Sequence, residues 1–167
     1  RGHARDLIAE GRVRVGGVTA AKASLPVERD AVIEVDAGRT WVGRAAYKLE
    51  AAFDAFGTTH PAPLDATGKT CLDVGASTGG FTQVLLTRGA QQVVALDVGH
   101  GQLAELIAAD PRVRALEGVN IRDVTPDELG FFDLVVVDLS FISLTLVVPV
   151  LCSLMAPEGQ GVFLVKP

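Results

Sequence analysis

An apolar strand that runs through a glycine turn into a helix, CLDVGASTGGFTQVLL at residues 71–86, restricts this chain more than any other feature. Asp73 lies near the strand's end, the turn passes from Gly75 through Ala76, Ser77 and Thr78 to Gly79 and Gly80, and the helix opens at Phe81. In open α/β sheets, ligands bind at the carboxyl end of such a strand. A dinucleotide loop needs glycines spaced GxGxxG, which Gly75, Gly79 and Gly80 do not supply. A P-loop needs a lysine after its last glycine, and here Phe81 and Thr82 follow Gly80. What is left is an acid followed by GxxxG with small residues between. Such a loop lets a ligand lie against bare backbone, with Asp73 near enough to attract a cation.

The rest of the chain fits this nucleus. From Lys69 onward, strand and helix patterns alternate with little spacer, with strands expected at 70–74, 92–97, 113–117, 133–138 and 161–166. Helices are expected at 81–88, 102–109 and within 143–155. Unbroken apolar runs such as LVVV and VFLV suit parallel strands covered on both faces. The expectation is an α/β fold with a doubly wound, Rossmann-like sheet. Asp97 ends the second strand, where an acid in such sheets accepts hydrogen bonds from ribose hydroxyls, although a solvated strand-end Asp looks the same in sequence. Asn120 follows the third strand and either borders an adenine edge or forms a turn.

Upstream lies a smaller pattern. A short helix over 4–10 ends at Gly11, the segment RVRV places Val13 and Val15 inward with Arg12 and Arg14 facing out together, and Gly16-Gly17 makes a turn. A second alternating segment covers 31–35. Residues 37–44 read as a linker between a module at 1–36 and a domain at 45–167, and 45–56 form an amphipathic helix ended by Gly57. Trp41 is the one aromatic of this region placed to stack on a base, with a hinge or packing role equally open.

Charge follows the same division. The net charge is -5, yet residues 1–50 carry nine Lys/Arg against seven Asp/Glu, while the remainder is strongly acidic. A mildly basic arm on an acidic body suits a phosphate-facing segment beside a domain with another ligand. With a mean hydropathy of +0.35 and 49% hydrophobic residues, disorder is excluded. Cys71 and Cys152, each in an apolar stretch, read as two buried free thiols in a reducing compartment, with no disulfide framework and no metal site. Residues 139–157 lack any formal charge, but Ser140, Ser143, Thr145, Ser153 and Pro149 interrupt them, so a bilayer span is rejected. The opening RGHARDLIAEG has no apolar region of a secretion signal.

Four strings together, LDVGASTGGFT, ALDVGHGQL, DLVVVDLSFISL and LVKP, resemble the TlyA family, which lies within the FtsJ-like class of S-adenosylmethionine-dependent ribose methyltransferases acting on ribosomal RNA. Residues 4–35 resemble the S-four-type RNA-binding module that precedes the catalytic domain in that family. The resemblance implies S-adenosylmethionine on Asp73, Gly75, Ala76, Ser77, Thr78, Gly79, Gly80, Phe81, Asp97, Asn120 and Asp138. It implies ribosomal RNA or ribosomal subunits as partner, a cytoplasmic location, and no stable membrane association. The oligomeric state is not implied. Of the family's Lys-Asp-Lys-Glu set it places Lys48 (in AAYKLE), Asp138 and Lys166. The fourth member would fall beyond Pro167, so the domain reads as truncated at its C-terminus and turnover is not necessarily expected of this chain alone. GRAAYKL stands where the family usually has a small-residue-rich SRGAxKL.

The chemistry suits these residue types. A ribose 2'-hydroxyl is a poor nucleophile, so positioning and a proton acceptor are what such an enzyme must supply. By the resemblance the acceptor is Lys166, which must be neutral to act; burial and the second cation, Lys48, push that way, while Asp138 pushes back. Asp138 then orients the hydroxyl and the methyl donor, and Lys48 fixes the hydroxyl or acts on its partner lysine. Arg5, Arg12, Arg14 and Arg44 are the candidates for RNA phosphates. Two other readings stand beside this one: a membrane-active, haemolysin-like protein without enzyme activity, since some family members carry that label, and another nucleotide-binding α/β protein.

Overall fold

Strands that carry apolar residues at successive positions, such as LVVV at 134–137, need cover on both faces, and this chain supplies it at the centre of its sheet. The computed structural model describes residues 2–36, 40–58, 62–140 and 142–166. The chain divides into two compact units, residues 1–40 and 41–167. In the first, helix α1 (Gly2–Ala9) is followed by strands β1 (Val13–Val15), β2 (Val18–Thr19) and β3 (Ile33–Val35). They form an antiparallel sheet in the order β2-β1-β3, with a small core of Leu7, Val13 and Ala20. Residues 37–39 of the expected linker lie outside the described residues.

The second unit begins at Trp41 and opens with helix α2 (Ala46–Phe56). Then come β4 (Thr70–Val74), α3 (Gly80–Thr87), β5 (Gln92–Asp97), α4 (Glu105–Ala108), β6 (Val113–Glu117), a 3-10 turn (Ile121–Asp123), α5 (Pro126–Leu129), β7 (Phe132–Val137), α6 (Leu144–Ser153) and β8 (Met155–Phe163). The five strands are parallel, in the order β6-β5-β4-β7-β8. The chain thus starts at the centre, winds to one edge, and returns to build the other side, which is the doubly wound arrangement.

Side-chain alternation sorts the strands into two cores. Cys71, Val93, Leu134 and Val136 face α2 and α3, packing with Leu49, Phe53, Phe81 and Leu85. Leu72, Val74, Leu96, Val135 and Val137 face the other way, against Ile121, Val147, Leu151 and Leu154. Trp41 packs on the first of these cores, which gives it a packing role.

Several expectations need correction. Cys71 is buried, but Cys152 is exposed, because α6 is a surface helix that turns only Val147 and Leu151 fully inward. Helix α4 is one turn long rather than two. The last strand begins at Met155, six residues before the expected start. A bulge carries the register from Phe132↔Met155 to Leu134↔Gln160, and an edge strand tolerates the Pro157 and Gly159 that this includes. It ends at Phe163, so Lys166 lies beyond the strand. A capping box at Thr125 and Glu128 starts α5, an element not anticipated.

Candidate functional site

The glycine turn sits at the C-terminal edge of the sheet's centre, wedged between two neighbours. Gly75 has φ +85°, and a Cβ there would lie 2.7 Å from the Asp138 carbonyl oxygen. Gly79 (φ +91°) caps α3, and a Cβ there would meet Leu103 Cδ1 at 2.8 Å. Gly75 therefore excludes a side chain both by conformation and by space, and Gly79 by conformation. Ser77 also adopts positive φ, at 47°, and its N–H donates to Asp97 Oδ2 at 2.8 Å. The Gly99 N–H donates to Asp97 Oδ1 at 2.8 Å, so Asp97 is held rigidly and keeps lone pairs for further donors.

Gly75, Ser77, Asp97, Asn120 and Asp138 line a cavity of about 480 Å³, together with Val74, Leu96, Gln102, Leu139 and Ser140. Asn120 does two things, lining this cavity and accepting the Arg122 N–H to cap the 3-10 turn. Ala76, Gly79, Gly80 and Phe81 are buried behind the turn, and Thr78 is exposed beside Gly43, whose added Cβ would fall 2.5 Å from Thr78 Oγ1. Asp73 departs from expectation. It shares the strand face of Cys71, is fully buried, and accepts the Thr82 hydroxyl at 2.6 Å. Burial, helped by the nearby Asp138 and Asp97 charges and resisted by Thr82, pushes its carboxyl up to about 7. It is no lure for a cation in the cavity.

The same alternation that buries Asp73 assembles the ionic site. Asp138 continues β7 in the parity of Leu134 and Val136 and so emerges on the α2 side of the sheet, and Lys166, beyond the end of β8, reaches the same carboxylate from the chain that follows Phe163. Helix α2 buries Ala46, Leu49 and Phe53 and leaves Lys48 on its flank. Lys48 Nζ meets Asp138 Oδ2 at 2.9 Å and Lys166 Nζ meets Asp138 Oδ1 at 2.6 Å. The Asp138 side chain is only 10% exposed. Burial works to raise its pKa, but the hydrogen bonds and charges of Lys166 and Lys48 outweigh this and hold it below the ordinary carboxylate value. Lys166 Nζ also donates to Ser140 Oγ at 2.9 Å, a partner with no sequence signal. Near the start of the unit, the Val42 N–H donates to Gln83 Oε1 at 2.8 Å and so ties the approach to α2 onto α3.

The basic candidates separate. Arg5, Arg14 and Arg44 are exposed. Arg12 is engaged, pairing with Glu10 at 3.0 Å and donating to the Asp36 carbonyl at 2.9 Å, so it does not stand free beside Arg14. Among the described residues, no group of His, Cys, Asp and Glu gathers as a metal site would.

Residues 41–167 match the family model described as FtsJ-like methyltransferase. The chain belongs to this family. Over its full length it is 48% identical to the 16S/23S rRNA (cytidine-2'-O)-methyltransferase TlyA of Mycobacterium tuberculosis, of which it spans 61%. It is 39% identical to Hemolysin A of Brachyspira hyodysenteriae, spanning all of this chain and 68% of that one. A solved structure of a Streptococcus thermophilus protein bearing a hemolysin name superposes with a TM-score of 0.71 at 34% identity, covering 99% of this chain and 60% of that one. The chain thus spans about three fifths of the M. tuberculosis relative. Despite the hemolysin names among these FtsJ-like relatives, no helix of the described residues is long and apolar enough to cross a membrane.

Proposed function

We propose that this protein transfers a methyl group from S-adenosylmethionine to a ribose 2'-hydroxyl of ribosomal RNA. The observation that carries the reading is Asp138 bridged between Lys48 and Lys166 at the lip of the glycine-loop cavity. Membership of a methyltransferase family supports it, as does the relative named for cytidine 2'-O transfer.

The cavity fits a nucleoside cofactor. Its volume lies within the range of small-molecule sites, Gly75 offers bare backbone, and Asp97 is preset to accept hydroxyl donors. Bound there, S-adenosylmethionine supplies a methyl group already activated on a sulfonium centre. The protein's own residues do the rest. Asp138 stays ionised and fixes both amines on one carboxylate. Lys48 holds the ribose oxygen in line, and Lys166 takes the hydroxyl proton onto Nζ as the oxygen gains the methyl group. Residues 1–36, through Arg5 and Arg14, together with Arg44 of the 45–167 domain, hold RNA by its phosphates.

The test is transfer of labelled methyl groups to unmodified ribosomal RNA, followed by alkaline hydrolysis. Label in alkali-resistant dinucleotides, absent with Asp138→Ala, supports ribose 2'-O transfer; label in mononucleotides or in none refutes it.

A further inference from the structure

Lys166 lies three residues past the end of β8, and the last ladder bond, from the Leu164 N–H to the Val137 carbonyl, stops short of it. The direction of its amine therefore depends on side-chain partners. Asp138 is one, but this carboxylate is shared with Lys48 and attracts both cations. The other is Ser140, on the loop leaving β7, which accepts from Lys166 Nζ at 2.9 Å.

Ser140 also occupies a particular place. A second cavity, of about 690 Å³, opens beside the first; its wall is largely apolar, with Leu144, Leu164 and Val165 beside the residues shared with the first, and Ser140, Ser143, Thr145 and Lys166 are its polar groups. The two cavities share the segment of Leu139, Ser140 and Ile142 as a wall. Two adjoining chambers, with Ser140 in their shared wall and Lys166 lining the second, are what a two-substrate transfer requires. With Asp97 and Asn120 lining the first, the second is open to the acceptor. Its hydroxyls, including Ser143 Oγ and Thr145 Oγ1 at 2.8 Å from each other, are neutral donors and acceptors suited to a nucleotide's polar edges.

We propose that Ser140 is a positioning residue that aims the Lys166 amine at an acceptor nucleotide of RNA seated in the second cavity. This inference rests on the ribose methyltransferase reading and deepens it. A hydroxyl has one proton and two lone pairs. While Ser140 Oγ accepts from Lys166, its own proton is free to point into either cavity. Ser140 thus sets the direction of the amine without adding charge, which Asp138 alone cannot do with two lysines on it.

Turnover and single-turnover kinetics on ribosomal RNA test the assignment. Ser140→Ala is expected to lower kcat about tenfold, the effect of losing one well-placed hydrogen bond to a charged group, with KM for RNA and cofactor affinity changed less than about twofold. Ser140→Thr, which keeps the hydroxyl, is expected to restore most of the rate. In Lys166→Ala the further change Ser140→Ala is expected to cost nothing, because Ser140 acts through that lysine. Full kcat in Ser140→Ala, or losses that multiply in the double variant, overturns this inference while leaving the reading of the site intact. Wild-type turnover in Lys166→Ala overturns the proton acceptor itself, and this inference with it.

Discussion

Asp73 gives the sharpest quantitative consequence of the fold. Its carboxyl is buried beneath α3 with one oxygen on the Thr82 hydroxyl and the other without a hydrogen-bond partner, and burial lifts its pKa from an ordinary 3.8 to about 7. In the unfolded chain the group ionises near 4. Between these values the native state holds one more proton than the unfolded state, so stability falls as pH rises through that window and levels off above about 7. The whole span is worth about 4 kcal/mol at 1.36 kcal/mol per pH unit, and the part between pH 5 and 8 about 3 kcal/mol. That is a large share of the stability of an ordinary domain.

The perturbation is Asp73→Asn, which keeps the shape and an oxygen for Thr82 but cannot ionise. Its amide NH2 takes the place of the unpartnered oxygen, at a pH-independent cost of about 1–3 kcal/mol. Urea unfolding of both proteins at pH 5, 6, 7 and 8 reads the difference. The expected outcome is a wild type that loses about 3 kcal/mol relative to the variant between pH 5 and pH 8, ending less stable than Asp73→Asn at pH 8. Histidines are common to both proteins and cancel. Asp138, Asp65 and Asp110 are all held below the ordinary carboxylate value, so they lose their contributions only at lower pH. A gap constant to within about 1 kcal/mol over this range would refute a neutral buried Asp73.

Three further outcomes are expected. Gly75→Ala should weaken binding of S-adenosylmethionine about tenfold or more by calorimetry, because its Cβ lies 2.7 Å from the Asp138 carbonyl oxygen on a backbone at φ +85°; unchanged affinity places the ligand elsewhere. Arg14→Glu should flatten the salt dependence of RNA binding by about one phosphate contact, whereas Arg12→Ala should mainly lower the melting temperature, since Arg12 closes onto Asp36 and Glu10; an unchanged salt slope in Arg14→Glu refutes the assignment. Lys166→Arg should lower the single-turnover methylation rate about 100-fold while sparing cofactor affinity, because a guanidinium cannot accept a proton; a near wild-type rate makes the lysine an electrostatic clamp only.

What the sequence disclosed, and what it hid, follows from the range of the interactions. The central strands are legible because helices cover both faces of the sheet there, so that β4, β5 and β7 are mostly apolar, and the glycine turn is legible because Gly75 and Gly79 adopt a positive φ that favours glycine; the edge strand β8, which carries Pro157, Glu158 and Gly159, is legible only in its last residues. The convergence of Lys48, Asp138 and Lys166 is implied by the family resemblance, and the structure gives the Asp138 part a local cause: Asp138 keeps the parity of Leu134 and Val136, and α2 covers that face. Asp73 was misjudged although the same parity was available, since Asp73 alternates with Leu72 just as Cys71 does and Thr82 stands in the first turn of the covering helix. Arg12 could not be read locally, because its carbonyl partner on Asp36 is 24 residues away and only the pairing of β1 with β3 brings the two ends together. Ser140 is the limiting case. Nothing in DLSFISL distinguishes its hydroxyl from those of Ser143 or Thr145; only the approach of Lys166, 26 residues further along the chain, selects it.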